Sequence, residues 1–202
     1  NAVGGDPTYA PTGSVRDVYL ESSYGSFTLD STVIGWVTLP NTEAYYANGV
    51  SGLGGSKVGE MLVDALNLAD PLIDFNLFDS DTDGFVDAIG FIHSGYGAET
   101  GGTDPDGAVA ADRIWSHKSV ISAWTSAEGE KVSTYHINPS LAGNSGGNIT
   151  TIGVVCHETG HFFGLPDLYD YGWGHGIGWW GMMGTSWGWD WTGSRPPLFS
   201  AW

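Results

Sequence analysis

The residues able to do chemistry in this 202-residue chain are concentrated in one pentapeptide, His157-Glu158-Thr159-Gly160-His161. On a helix, positions i and i+4 share a face, so both imidazoles can reach one cation while the glutamate stands a step to the side. Zinc suits such donors: its catalytic sites use three protein ligands and leave one position open to water. Water beside Zn²⁺ is acidified toward neutrality, and a carboxylate placed like Glu158 can serve as general base. The bland alternative is two histidines and a glutamate sharing a solvated helix face by coincidence. The next six residues of the chain weigh against it. Gly164 lies three residues after His161, and Asp167 three after Gly164. A glycine there permits a left-handed helix end that turns the chain back. Asp167 can then bring a third, oxygen ligand from outside the helix, with Asp170 as its rival.

The elements that must position these groups can be read from the flanking pattern. A loop at Asn144-Ser-Gly-Gly147 leads into a helix over Thr151–Phe163, which Gly164 closes. A second helix is expected over Ser56–Asn67, where apolar residues recur at 58, 61, 62, 65 and 66 behind Ser56 as N-cap. Thr32–Leu39, Phe85–His93 and Lys131–Ile137 read as strands, and Val15–Leu20 as a short strand or a helix start. Strands and helices are mixed without an internal repeat. The fold class is therefore α+β, a mixed α/β arrangement rather than a bundle or an array. The Lys131–Ile137 strand, or His136–Pro139 within and after it, is expected to rim a cleft and pair with extended substrate.

A second cluster is purely acidic. Asp79-Ser-Asp-Thr-Asp-Gly-Phe-Val-Asp87 places carboxylates at loop positions 1, 3, 5 and 9, with Gly84 at 6 and the Phe85 carbonyl at 7. That is a hard-oxygen pattern for structural Ca²⁺ through Asp79, Asp81, Asp83, Phe85 and Asp87. Position 12 is Gly90 instead of a bidentate Glu, so water or a distant carboxylate must complete the shell. Asp104, Asp106 and Asp112 are candidates for a second such site. Seven of the ten tryptophans fall between Trp173 and Trp202. They read as a compact aromatic core, with a carbohydrate- or partner-binding surface as the alternative. His93, His117, His136 and His175 lack paired spacing and read as structural, and Cys156 as a small buried apolar residue.

The extended pattern His-Glu-x-x-His-x-x-Gly-x-x-Asp resembles the metzincin clan of zinc endopeptidases. Trp180-Gly-Met-Met-Gly-Thr-Ser-Trp187 looks like the clan's methionine turn, with Met183 preferred and Met182 the alternative. Within the clan the chain resembles the immune inhibitor A family of secreted bacterial metallopeptidases, family M6. The matching stretches are Ser14–Gly25, Asp79–Gly84, His93–Glu99, Ile114–His117 and His157–Asp170. The resemblance implies a metzincin-like fold with a twisted mixed sheet, a backing helix and an active-site helix. It implies one catalytic domain over 1–202, an upper subdomain at 1–164 and a short irregular lower one at 165–202. It also implies a larger precursor, with a propeptide or C-terminal region as partner besides protein and peptide substrates. One departure stands out. Several metzincins carry a tyrosine two residues after the turn methionine, where this chain has Thr185 or Gly184.

Composition closes off other classes. Six Lys and Arg against 23 Asp and Glu give a net charge of −17, which argues against nucleic acid or anionic lipid as a partner. No apolar run approaches the ~20 residues that span a bilayer. A lone Cys156 makes no internal disulfide. A chain that begins at Asn1 reads as a processed or truncated product. The expectation is a secreted, monomeric zinc endopeptidase in which Glu158 activates water held by His157, His161 and Asp167. A zinc hydrolase of non-peptide substrates, and a silent Trp-rich binding module with structural zinc, are the rivals.

Overall fold

The computed structural model describes residues 10–172 and 174–200, so Trp173 and Trp202 lie outside the described residues. The chain divides into two compact units: a terminal unit of residues 1–32 with 151–202, and a central unit of residues 33–150. Among the described residues no helix is long and apolar enough to cross a membrane.

The central unit is built on a three-stranded mixed sheet, which with the helices gives the expected α+β class. Its strands are β1 (Gly90–Tyr96), β2 (His117–Thr125) and β3 (Lys131–Leu141), in the order β1-β3-β2. β3 pairs parallel with β1 and antiparallel with β2. Helix α3 (Val58–Ala69) backs the sheet. Its Val58, Met61 and Leu62 bury against Tyr135, Ile137 and Ile114, and Leu66 joins Phe75, Val86 and Val132. Full burial of a leucine contributes about 1.5–3 kcal/mol, which is why the 3.6-residue stripe wins here. The N-cap of α3 is Lys57, not Ser56; the Ser56 hydroxyl accepts the Val58 amide at 3.3 Å from one residue outside. A short helix α2 (Glu43–Ala47) precedes it, capped by the Thr42 side chain.

Three expectations about strands need correction. Residues 27–39 form no regular element, and within Thr32–Leu39 Val33 is 82% and Trp36 71% exposed. β-branched residues favour a strand only where a partner and a half-buried surface exist. Phe85 makes a single parallel bridge to Lys131, and regular pairing starts only at Gly90. β3 is longer than expected and central, so both of its edges are already hydrogen-bonded and it cannot rim a cleft. The antiparallel edge strand is β2, whose sequence has no clean alternation to mark it as a strand.

The terminal unit packs α1 (Val15–Ser22) on α4 (Ile152–Gly160). α1 is a helix because Ser14 and Asp17 form a capping box, the Asp17 carboxylate accepting the Ser14 amide at 2.7 Å. The Tyr19 hydroxyl of α1 donates to the Cys156 carbonyl of α4 at 2.8 Å. Val18, Cys156, Met182 and Met183 form the buried core, with Leu165, Leu168 and Phe199 packed against it. This corrects the reading of the tryptophans. Trp180 is 89% exposed, and Trp179, Trp187, Trp189 and Trp191 also face outward, so sulfur and aliphatic groups fill the core instead.

Candidate metal centre

Helix α4 carries His157 and Glu158, and two glycines let it sit close to the chain beyond it. A Cβ at Gly153 would lie 2.3 Å from the Ser186 carbonyl oxygen, and one at Gly160 2.7 Å from the Met183 sulfur. The helix tightens into a 3-10 turn at His161–Phe163 and ends on Gly164 at φ 74°, the left-handed position its spacing implied. The returning stretch of backbone is then pinned: Leu168 N–H donates to Met183 O at 2.7 Å, and Ile177 N–H to Leu168 O at 2.9 Å. Asp167 is carried back toward α4 by this turn.

Three donors converge there. Asp167 Oδ1 lies 3.0 Å from His157 Nε2 and 3.3 Å from His161 Nε2, and the three ligand atoms lie within 4.8 Å of one another. The other ring nitrogens are committed elsewhere. His157 Nδ1 is 3.0 Å from the Met182 carbonyl, and His161 Nδ1 2.8 Å from the Leu165 carbonyl. A carbonyl only accepts, so each Nδ1 carries the hydrogen, and in its neutral form each ring has an Nε2 lone pair on the side of the carboxylate. Burial holds His157 below the usual histidine range, against the Met182 carbonyl, which acts the other way. Two lone pairs aimed at one carboxylate oxygen are compatible with a cation among them, and two nitrogens with an oxygen are a donor set zinc accepts. Asp170 is not part of the group: its two oxygens accept Gly172 N–H and Gly174 N–H, both at 2.7 Å. Glu158 is buried beside His157, and its charge is felt by the Tyr171 phenol. The Met182 carbonyl faces His157 Nδ1, and the Met183 sulfur lies against Gly160.

Sequence spacing overlooks two tyrosines. Tyr169 stacks on His157 with ring centres 5.9 Å apart, and Tyr171 donates its hydroxyl to Asp167 Oδ2. The Leu-Tyr-Asp-Tyr run directly after Asp167 is the available signal.

In the central unit, carboxylate oxygens of Asp79, Asp81 and Asp87 also lie within 4.8 Å of one another. Asp83 is placed differently, its Oδ1 accepting Phe85 N–H at 2.8 Å. Asp79 accepts Gly84 N–H at 2.9 Å and Asp83 N–H at 3.1 Å. Burial raises its pKa, but these loop amides outweigh that and hold it low. The Asp83 charge pushes Asp81 up. Glu130, from the turn between β2 and β3, adds a carboxylate that no local spacing could reveal; partial burial and the charge of Asp79 raise its pKa.

A family model for the immune inhibitor A peptidase M6 catalytic domain matches residues 6–202. The chain belongs to that M6 family. It is 32% identical over 211 residues to immune inhibitor A of Bacillus thuringiensis subsp. alesti, covering 92% of this chain and 30% of that protein. It is 29% identical over 221 residues to the pre-pro-metalloprotease PrtV of Vibrio cholerae serotype O1, covering 94% of this chain and 23% of that one. The chain thus spans less than a third of the length of these curated relatives.

Other polar residues in this M6 chain are spent on structure. His93 is buried with Nδ1 3.2 Å from Glu43, whose Oε1 also accepts Ile114 N–H at 2.9 Å. His117 bridges the Trp115 carbonyl at 2.6 Å and the Tyr135 hydroxyl at 2.9 Å. His136 Nδ1 lies 2.8 Å from Asn138 Oδ1, and burial pushes its pKa down to about 4. Burial also pushes the Cys156 thiol far above the range in which it reacts. Asp104 spends one oxygen on the amides of Asp106 and Ala108, and among the described residues no cluster of acids forms around it.

Proposed function

We propose that this chain is the catalytic part of a secreted zinc endopeptidase. The observation that carries the reading is the convergence of His157 Nε2, His161 Nε2 and Asp167 Oδ1, with both Nδ1 atoms fixed by main-chain carbonyls. Membership of a peptidase family and the metalloprotease named among its relatives support it. Zn²⁺ at this position would polarise a scissile carbonyl and acidify the attacking water. Glu158 takes the proton from that water and delivers it to the leaving amine, the role of a buried carboxylate adjoining the ligands. Burial keeps His157 neutral, the form in which a ring nitrogen can ligate. Met183 forms the floor as the turn methionine. The open edge of β2 is suited to an extended peptide by strand addition, and a groove of about 550 Å³ beside it, lined by Ser119–Ser122 and by Val58, Glu60 and Val63 of α3, can take side chains.

A structural Ca²⁺ held by Asp79, Asp81 and Asp87, with Asp83 and the Phe85 carbonyl in the same loop, completes the reading. Like charges that raise Asp81 support a cation there. A propeptide or C-terminal region is a fitting partner, since one relative is by name a pre-pro-protein. Substrates are proteins and peptides, and the working form is a monomer.

Hydrolysis of a generic unfolded protein, followed with and without a zinc-selective chelator alongside metal analysis, tests this. Cleavage that stops on chelation and returns with trace zinc is expected. Folded protein that takes up no zinc would overturn the reading.

A further inference from the structure

The three proposed ligands are held in two different ways. His157 and His161 are each tied through Nδ1 to a backbone carbonyl, of Met182 and Leu165. Main-chain anchors of this kind move only if the fold moves. Asp167 is tied instead by a side chain: its Oδ2 accepts the Tyr171 hydroxyl, while Oδ1 faces both histidines. Tyr171 is 80% exposed, so its ring is fixed by this hydrogen bond, by a hydroxyl interaction with Tyr169 and by an edge-to-face contact with the Tyr169 ring at 5.1 Å. Asp170, beside Tyr171 in the chain, accepts Gly172 N–H and Gly174 N–H on its two oxygens. A carboxylate left to itself can offer one oxygen or two; one whose second oxygen is hydrogen-bonded offers one.

We propose that Tyr171 is the positioning residue of the third ligand: by holding Asp167 Oδ2 it fixes the carboxylate as a one-oxygen donor and governs how firmly the metal is retained. This rests on the zinc reading and deepens it. The hydroxyl, not the ring, is the operative group, because the ring is largely in solvent. Loss of such an outer hydrogen bond to a ligand typically weakens metal binding about 10–100-fold.

The test compares wild type with Tyr171→Phe, which keeps the ring and removes only the hydroxyl. Zinc affinity is measured by competition against a chromogenic chelator, the visible spectrum is recorded with Co²⁺ in place of zinc, and thermal unfolding of the metal-free proteins serves as control. The expected result is zinc binding weaker by about 10–100-fold and displaced Co²⁺ bands, with the metal-free unfolding midpoint unchanged. A variant that matches wild type in affinity and Co²⁺ spectrum overturns this inference alone. Wild-type protein that binds neither metal overturns the zinc reading and this inference together.

Discussion

The histidine cluster of the terminal unit and the acidic loop of the central unit both gather three potential ligands within 4.8 Å, by opposite means. At the histidines, His157 spends one nitrogen on the main-chain carbonyl of Met182, 25 residues on, and His161 one on that of Leu165, four residues on, and burial keeps His157 uncharged. In the loop, the carboxylates face solvent and take their partners from amides two to seven residues away, as Asp79 does from Gly84 and Asp83 and Asp87 from Ser80. The first arrangement is complete only once the chain near Met182 has folded against α4. The second is mostly a property of nine consecutive residues. Donors fixed by the fold suit an ion that must do chemistry in one geometry, whereas an adaptable oxygen cage suits an ion that only ties a loop down.

The most severe challenge to this contrast is Glu158→Gln. It should lower the hydrolysis rate by about 10²–10⁴-fold with zinc content and unfolding unchanged. A variant that still cleaves peptides at the wild-type rate would remove Glu158 from the chemistry and leave the histidine cluster no more catalytic than the loop.

Buried imidazoles extend the contrast from another side. His136 sets its Nδ1 against the Asn138 amide oxygen, and burial pushes its pKa down to about 4. A depressed folded value means that the unfolded chain binds the proton first. The stabilisation is fully present above the unfolded value near 6.5 and is lost as pH falls toward about 4, on the order of 3 kcal/mol in all. Urea midpoints taken across that range should fall in wild type and stay flatter in His136→Asn; parallel slopes would show that His136 is not the group responsible.

The smallest effect belongs to the loop. Calcium at a hundred times its dissociation constant should stabilise the protein by about 2.7 kcal/mol, and Asp79→Asn should remove most of that gain. Equal thermal midpoints with calcium and with a calcium chelator would leave the loop as a solvated acidic turn.

How much of this is legible in the sequence depends on how local the cause is. The spacing from His157 to Asp167 lies within eleven residues, and a helix closed by a left-handed glycine translates it directly into proximity. The mixed fold class and α3 are legible for the same reason, since a 3.6-residue stripe is a local signal. Glu130 reaches Asp79 only because β2 and β3 form a hairpin, which nothing near Asp79 announces. The Thr32–Leu39 run has strand composition but no partner strand, and pairing is not written in a segment's own residues. The outward tryptophans mislead because aromatic content does not say which side is wet; Met182, Met183 and Cys156 already fill the space.

The way the two units are threaded has a consequence in time. The central unit is one continuous stretch, 33–150, whereas the terminal unit joins residues 1–32 to 151–202. During synthesis the central stretch leaves the ribosome whole while α1 is still without α4. The terminal unit, by contrast, has to close a loop of that length before α1 meets α4. His157, Asp167 and Met182 are all encoded after it. The donor group around His157 and Asp167 is therefore anchored only after synthesis has passed Met183.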